Sequence, residues 1–327
     1  MHALAVETPR SRVIESGDLQ SPIDRPPLFI LGSPRSGTTL LASLLADSPW
    51  GKPIETHFIP KYYRRLQQRG DLSDWRVFYA LVRGILAERP IAQLQLRLDP
   101  DTLYDSMRVC DYPHLVNAIG HAYAASRGYA SWGDKTPEYL SHVELLHDLF
   151  PTAPMIYIVR DGRDVARSLM QESWGPATIY ACAQKWRSEN APKAIMATLR
   201  AKGLLFELRY EDLLAAPDAM LHRISTFLAY AASPDRMARL ASTVKRQNAG
   251  KWRANLQPAA VAVFETVAGE TLRRFGYETT RAPESIGPLD VAMYGVQDTC
   301  KRLRSLFTMN VIDTIRIRAF GKQPFAE

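Results

Sequence analysis

Cysteine is scarce: the 327-residue chain holds three, Cys110, Cys182 and Cys300, far apart and without CxxC spacing. That excludes a disulfide framework and a zinc site of the usual ligand spacing, and it fits a reducing, cytoplasmic compartment. Long hydrophobic runs are missing too. No segment reaches 18 uninterrupted apolar residues, and residues 1–26 carry Pro9, Pro22 and Pro26 among charges where a secretory leader would have an apolar core. Internal repeats and low-complexity tracts are likewise absent. What remains is an ordinary globular composition, 46% hydrophobic and 23% charged, enough to bury one large α/β core with an added subdomain. A net charge of +7 asks for an anionic partner: a nucleotide, a nucleic acid or a membrane surface. The charge is spread along the chain with no groove-reading motif or aromatic stacking platform, so no nucleic acid is expected.

The pattern of apolar residues sets the architecture. Leu28–Leu31 reads as a buried strand that enters a glycine-rich turn and leaves it as a helix. Ile59–Ser126 is mostly helical, with apolar residues three and four apart, and is expected to cover the acceptor side of a cleft. "YASWGDKTPEYL" predicts a short strand, a turn and a helix start, with Thr136 as cap and Pro137 in the first helical position. Met155–Val159 repeats the strand, turn and helix design, and "LLFEL" gives a third long strand before "RYEDLL" and a helix from Pro217. Strands alternating with helices imply an α/β fold, a central parallel sheet flanked by helices in three layers, with ligands beyond the carboxyl ends of the strands. The organisation expected is a loose tail over 1–26, one domain over 27–280 with its helical insertion at 59–126, and a C-terminal helical extension over 281–327. The extension contains "DVAMYGVQDTCKRLRSLF", an amphipathic helix with a basic face.

Glycine spacing carries the first functional signal. Gly32, four residues, then Gly37, Thr38 and Thr39 follow the phosphate-cradling G-x-x-x-x-G-K-[ST] pattern, except that Thr38 stands where lysine would be. Backbone amides and the positive end of the helix still make an anion site. The cation has moved to Arg35 inside the loop, which suits a bound group less charged than a triphosphate. A kinase or other nucleoside triphosphatase is the alternative, with Asp161 imitating a Walker B aspartate for Mg²⁺; the missing lysine weakens it. At the end of the second long strand, Arg160 offers two-pronged hydrogen bonds to a phosphate, and Ser168 adds a hydroxyl from the following helix. Arg163 and Asp164 are expected to form a surface ion-pair cluster beside them.

"PRSGTTLL" resembles the 5′-phosphosulfate loop of sulfotransferases that use 3′-phosphoadenosine 5′-phosphosulfate (PAPS), the arginine matching the tyrosylprotein and bacterial branches. The resemblance runs in order from residue 28 to about residue 276. It implies that Ser36, Gly37, Thr38 and Thr39 hold the 5′-phosphate while Arg35 touches the bridging oxygen and sulfonate, and that Arg160 and Ser168 hold the 3′-phosphate. "GKWRANL" resembles the loop that folds over the cofactor, bringing Lys251, with Gly250 and Trp252, to it; "LRYEDLL" brings Tyr210 to the nucleotide. In "PIETHFIP", Glu55 resembles the base that removes the acceptor's proton, with His57 as rival, and Lys135 of "GDKTP" resembles a lysine near the sulfonate. The implied enzyme moves a sulfuryl group from PAPS to a hydroxyl acceptor such as a small metabolite, glycan, lipid or aromatic alcohol, releases adenosine 3′,5′-bisphosphate (PAP) and needs no metal. Contact of the basic C-terminal helix with a membrane, and a homodimer, are further expectations.

Overall fold

The computed structural model describes residues 25–280 and 285–307. Residues 1–24 of the expected tail, and 281–284 and 308–327 of the expected extension, lie outside the described residues. Four parallel strands form one sheet in the order β2-β1-β3-β4: β1 (Leu28–Leu31), β2 (Gly133–Asp134), β3 (Met155–Val159) and β4 (Leu205–Arg209). β1 and β3 are buried along their whole length, as their unbroken apolar sequences require of strands covered on both faces. Alternate residues part to opposite layers. Phe29 and Leu31 join one hydrophobic core, and Leu28, Ile30, Ile156 and Ile158 join the other.

Helix α1 (Thr38–Leu44) leaves the loop after β1. The predicted helical insertion is present as α2 (Ile59–Arg69), α3 (Trp75–Leu86), α4 (Arg89–Ala92), α5 (Pro100–Ser106) and α6 (Tyr112–Arg127). Asp74, Asp99 and Asp111 cap α3, α5 and α6 by accepting hydrogen bonds from first-turn amides, and Gly128 ends α6 at φ 73°. α7 (Val143–Leu149) leads to β3 and α8 (Gly162–Met170) leaves it; α9 (Ile179–Glu189) and α10 (Ala194–Ala201) precede β4. After β4 come α11 (Tyr210–Ala215), α12 (Pro217–Phe227), α13 (Pro234–Ser242), α14 (Trp252–Asn255), α15 (Pro258–Arg274) and α16 (Pro288–Phe307). α16 lies along α9, pinned by Asp298: its carboxylate accepts from the Ala177 and Thr178 amides and the Thr178 hydroxyl at 2.6, 3.1 and 2.7 Å.

Two expectations need correction. Arg163 and Asp164 do not form a surface cluster: each is 1% exposed. The Arg163 guanidinium pairs with Asp161 at 2.8 Å and Glu265 at 2.6 Å and stacks over Trp252 at 3.8 Å, because Glu265 arrives from α15, a hundred residues on. Thr136 precedes a 3₁₀ turn, Pro137–His142, and its hydroxyl caps nothing. It donates instead to Asp134 Oδ1 at 2.7 Å and accepts from the amides of Thr56 and His57 at 3.1 and 3.3 Å.

Candidate active site

The polar turns after β1 and β3 meet beyond the carboxyl ends of the sheet. Arg35 sits at φ 68° and Gly37 at φ 98°, left-handed conformations that turn the chain sharply back into α1. No side chain caps α1. Its first-turn amides, which have no partner within the helix, are therefore available to an anion. Ser33 and Ser36 brace the loop from within, their hydroxyl oxygens 2.7 Å apart. A β-carbon on Gly37 would stand 2.3 Å from the Tyr210 ring, so only glycine admits the ring this close.

From the β3 side, Arg160 crosses to the same place. Its Nη1 donates to the Arg35 carbonyl oxygen at 3.2 Å, its Nη2 to the Asn248 carbonyl oxygen at 2.9 Å, and its plane lies 4.6 Å from the Tyr210 ring centroid. Arg160 Nε is buried and has no partner among the described residues, a donor left for a ligand. Arg35 Nε donates to Ser168 Oγ at 2.9 Å, so the two anion sites inferred from sequence face one another. Arg35 also pairs with Glu172, a residue sequence reasoning passed over, at 3.2 Å.

Asp164 organises the covering segment. Its carboxylate, fully buried beside Arg160, accepts from the Gly250 amide at 2.7 Å and the Trp252 amide at 2.8 Å. Lys251 is thereby held near the site, its Nζ donating to Asn248 Oδ1 at 2.7 Å. Trp252 points the other way, into the core against Arg163.

On the opposite flank, Ile54 pairs with Asp134 at the edge of the sheet and the Lys135 amide donates to the Ile54 carbonyl at 2.8 Å. Glu55 and Lys135 thus leave neighbouring extended segments side by side. Lys135, 7% exposed, forms an ion pair with Glu55 and donates to Thr39 Oγ1 at 3.0 Å, which ties this flank to the loop. His57, at φ 59°, places Nε2 3.3 Å from Glu55 and Nδ1 3.7 Å from Glu138. Left-handed backbone at two non-glycine site residues, Arg35 and His57, is strain of the kind that gathers at functional sites. The Glu55 carboxyl is drawn down to about 2, first by its hydrogen bond with His57 and then by Lys135, against burial that would raise it. His57 is raised above its ordinary 6.5, chiefly by the same bond to Glu55. Buried Asp134, which holds Thr56 and Thr136, is pushed up to about 6 by desolvation.

Beside Pro34 and Glu138 opens a cavity of about 550 Å³, lined further by Trp174, Lys185, Glu189 and Arg302. Its walls come from the segment after α8 and from α9 and α16, with none from the helices of 59–126. A second cavity of about 490 Å³ lies along β4 and α10 and includes no residue of the loop. Among the described residues, no group of His, Cys, Asp and Glu converges as it would around a metal ion, and no helix is long and apolar enough to cross a membrane.

Comparison with known proteins gives a consistent picture. Residues 26–234 match the model of the Sulfotransferase family. The chain is 27% identical over 223 residues to the nodulation protein NoeE of Sinorhizobium fredii, covering 62% of this chain and 49% of that protein. It is 25% identical over 296 residues to protein-tyrosine sulfotransferase A of Caenorhabditis elegans, covering 81% and 70%. The chain therefore spans about half the length of the nodulation protein. Among solved structures, the fold resembles the sulfotransferase domain of the curacin biosynthetic pathway, with TM-score 0.52 and 20% identity over 78% of this chain and 99% of that one. It also resembles the sulfotransferase domain of the Synechococcus PCC 7002 olefin synthase, with TM-score 0.51 and 23% identity over 78% and 95%.

Proposed function

Since the chain belongs to the sulfotransferase family, we propose that it transfers the sulfuryl group of PAPS to a hydroxyl acceptor and releases PAP. The observation that carries this reading is the pair of facing anion sites, Arg35 in the glycine loop and Arg160 with Ser168, joined by hydrogen bonds at 2.9 and 3.2 Å. The residues fit the nucleotide: uncapped α1 amides with Ser36, Gly37, Thr38 and Thr39 for the 5′-phosphate, the free Arg160 Nε with Ser168 for the 3′-phosphate, Tyr210 for the nucleoside and Lys251 over it. When bound, PAPS supplies an activated sulfuryl group: its bridging S–O bond breaks as a bond from sulfur to the acceptor oxygen forms.

The chain's own residues manage the charge and the proton. Arg35 and Lys135 are cations placed to neutralise negative charge developing at the bridging oxygen, commonly the largest contribution such sites make. Glu55 takes the acceptor's proton. In the free protein Lys135 and His57 occupy both of its oxygens. An anion beside Thr39 draws Lys135 away and removes the weaker of the two restraints on Glu55, so part of its basicity returns as the donor arrives. The acceptor enters the cavity beside Pro34 and Glu138, with its ring or chain against Trp174.

The test pairs binding with turnover. PAP without Mg²⁺ should stabilise the protein by about 2.7 kcal/mol at a hundredfold excess over Kd, a rise of about 4 °C in Tm for a chain of this length. Glu55→Gln should keep that rise yet lose about 10²–10⁴ in the rate at which labelled sulfate passes from PAPS into acceptors of a cell extract. A rise with Mg-ATP alone would overturn the donor assignment, and full turnover by Glu55→Gln would remove Glu55 from its role.

A further inference from the structure

Five of the eight large apolar side chains that stand exposed among the described residues lie on α16: Leu289, Val291, Met293, Val296 and Leu303. Four fall on one line. Leu289 is 82% exposed, Met293 56%, Val296 63% and Leu303 61%. Exposed Cys300 completes the series 289, 293, 296, 300, 303, alternating steps of four and three along the helix. The opposite side of α16 is already occupied. Tyr294 stacks on Tyr180 with ring centroids 5.3 Å apart, Asp298 accepts from the Ala177 and Thr178 amides just before α9, and Lys301 donates to the Met170 and Pro176 carbonyls.

The shape of this face says what covers it. A helix lying in a lipid interface presents a broad apolar face, flanked by Lys and Arg. Here the apolar face is one residue wide, the four-three repeat of a helix–helix seam, bordered by Asp290, Gln297 and Arg304 on one edge and Ala292 and Thr299 on the other. The charged edge is acidic at the start of α16 and basic at its end. Parallel pairing would set this edge against the partner's uncharged edge of Ala292 and Thr299 and gain no ion pair. Antiparallel pairing sets Asp290 of each helix against Arg304 of the other, with Gln297 meeting its counterpart at the two-fold axis.

We propose that α16 is a dimerisation helix, which pairs antiparallel with α16 of a second copy of this chain, packing Met293 against Leu303 and Val296 against Cys300 across the seam. At about 21 Å from Leu289 to Leu303 the seam is short, and an isolated helix of about 20 residues would be marginal. α16 is already ordered against α9, so association does not bear the cost of folding it. The resulting interface is isologous, each copy offering the same surface.

Sedimentation of the full chain at about 1–100 µM tests the pairing. The wild type should pass from monomer to dimer within that range, and Val296→Glu should stay monomeric while its PAP-induced rise in Tm is unchanged. Asp290→Arg should weaken the dimer about two- to tenfold, and Asp290→Arg with Arg304→Asp should restore it. Under mild oxidation Gln297→Cys should give a covalent dimer. The wild type should not, because its Cys300 thiols lie on either side of the axis. A wild type that is monomeric throughout, a Val296→Glu variant as dimeric as the wild type, or a disulfide through Cys300 would overturn the proposal. So would a monomer that floats with anionic phosphatidylserine vesicles and loses them on Val296→Glu, which would make the face a lipid contact.

Discussion

Replacing Asp164 by asparagine should loosen nucleotide binding from inside the core. The carboxylate is fully buried and accepts two main-chain hydrogen bonds, from Gly250 at 2.7 Å and Trp252 at 2.8 Å, with Arg160 3.5 Å away. Asparagine keeps one oxygen and turns an NH₂ group toward the other amide, leaving two donors face to face. Hydrogen bonds to a charged group contribute about 1.5–3 kcal/mol, and a stranded buried donor costs about 1–3 kcal/mol. Taking about 3 kcal/mol for the whole change, Tm should fall by about 4 °C. The same energy limits the loss of PAP affinity to about a hundredfold, since the segment bearing Lys251 is no longer held in place. Calorimetric titration with PAP measures this without turnover. Asp164→Asn combined with Lys251→Ala should be little worse than Asp164→Asn alone, because both remove one arrangement. Unchanged affinity in Asp164→Asn, or strict additivity in the double variant, would refute the argument that Asp164 acts through this segment.

Two more outcomes follow from the ion pairs. Glu172 holds Arg35 at 3.2 Å with both side chains partly exposed, so it competes with an incoming anion. Glu172→Gln should therefore tighten PAP binding about two- to fivefold by titration, and weaker binding would show that Glu172 supports the site instead. Protonated His57 is favoured in the folded state, chiefly by its hydrogen bond to Glu55, so its contribution is complete below pH 6.5 and is lost as pH rises through the raised value. With both partners 39% exposed, that contribution is about 0.5 kcal/mol. The Tm advantage of the wild type over His57→Gln should be largest near pH 6 and gone near pH 9; an advantage that grows with pH would contradict the assigned pairing.

The parts of the molecule legible in sequence are those governed by near neighbours. The apolar runs of β1 and β3 could be read because both of their faces are covered, and the loop because left-handed turns leave so few residue types available. Arg160 could be located because parallel sheets place their ligands at strand ends. Contacts across the chain were illegible. Asp161, Arg163 and Asp164 look like a solvated charge cluster until Glu265 and the Gly250–Trp252 segment close over them. Thr136 has the sequence of a helix cap, yet buried Asp134, two residues before it, claims the hydroxyl. Glu172 and Asp298 carry no motif at all; their positions matter only because α8, α9 and α16 come together in space.

The hydrogen bond from Arg160 to the carbonyl of Arg35 makes the site a calliper. On the proposed reading each jaw grips one end of the nucleotide, and the bond between them fixes how far apart the jaws stand. A molecule bearing a phosphate at one end alone closes a single jaw and gains a single grip, so selection is by span between anions more than by the identity of either one.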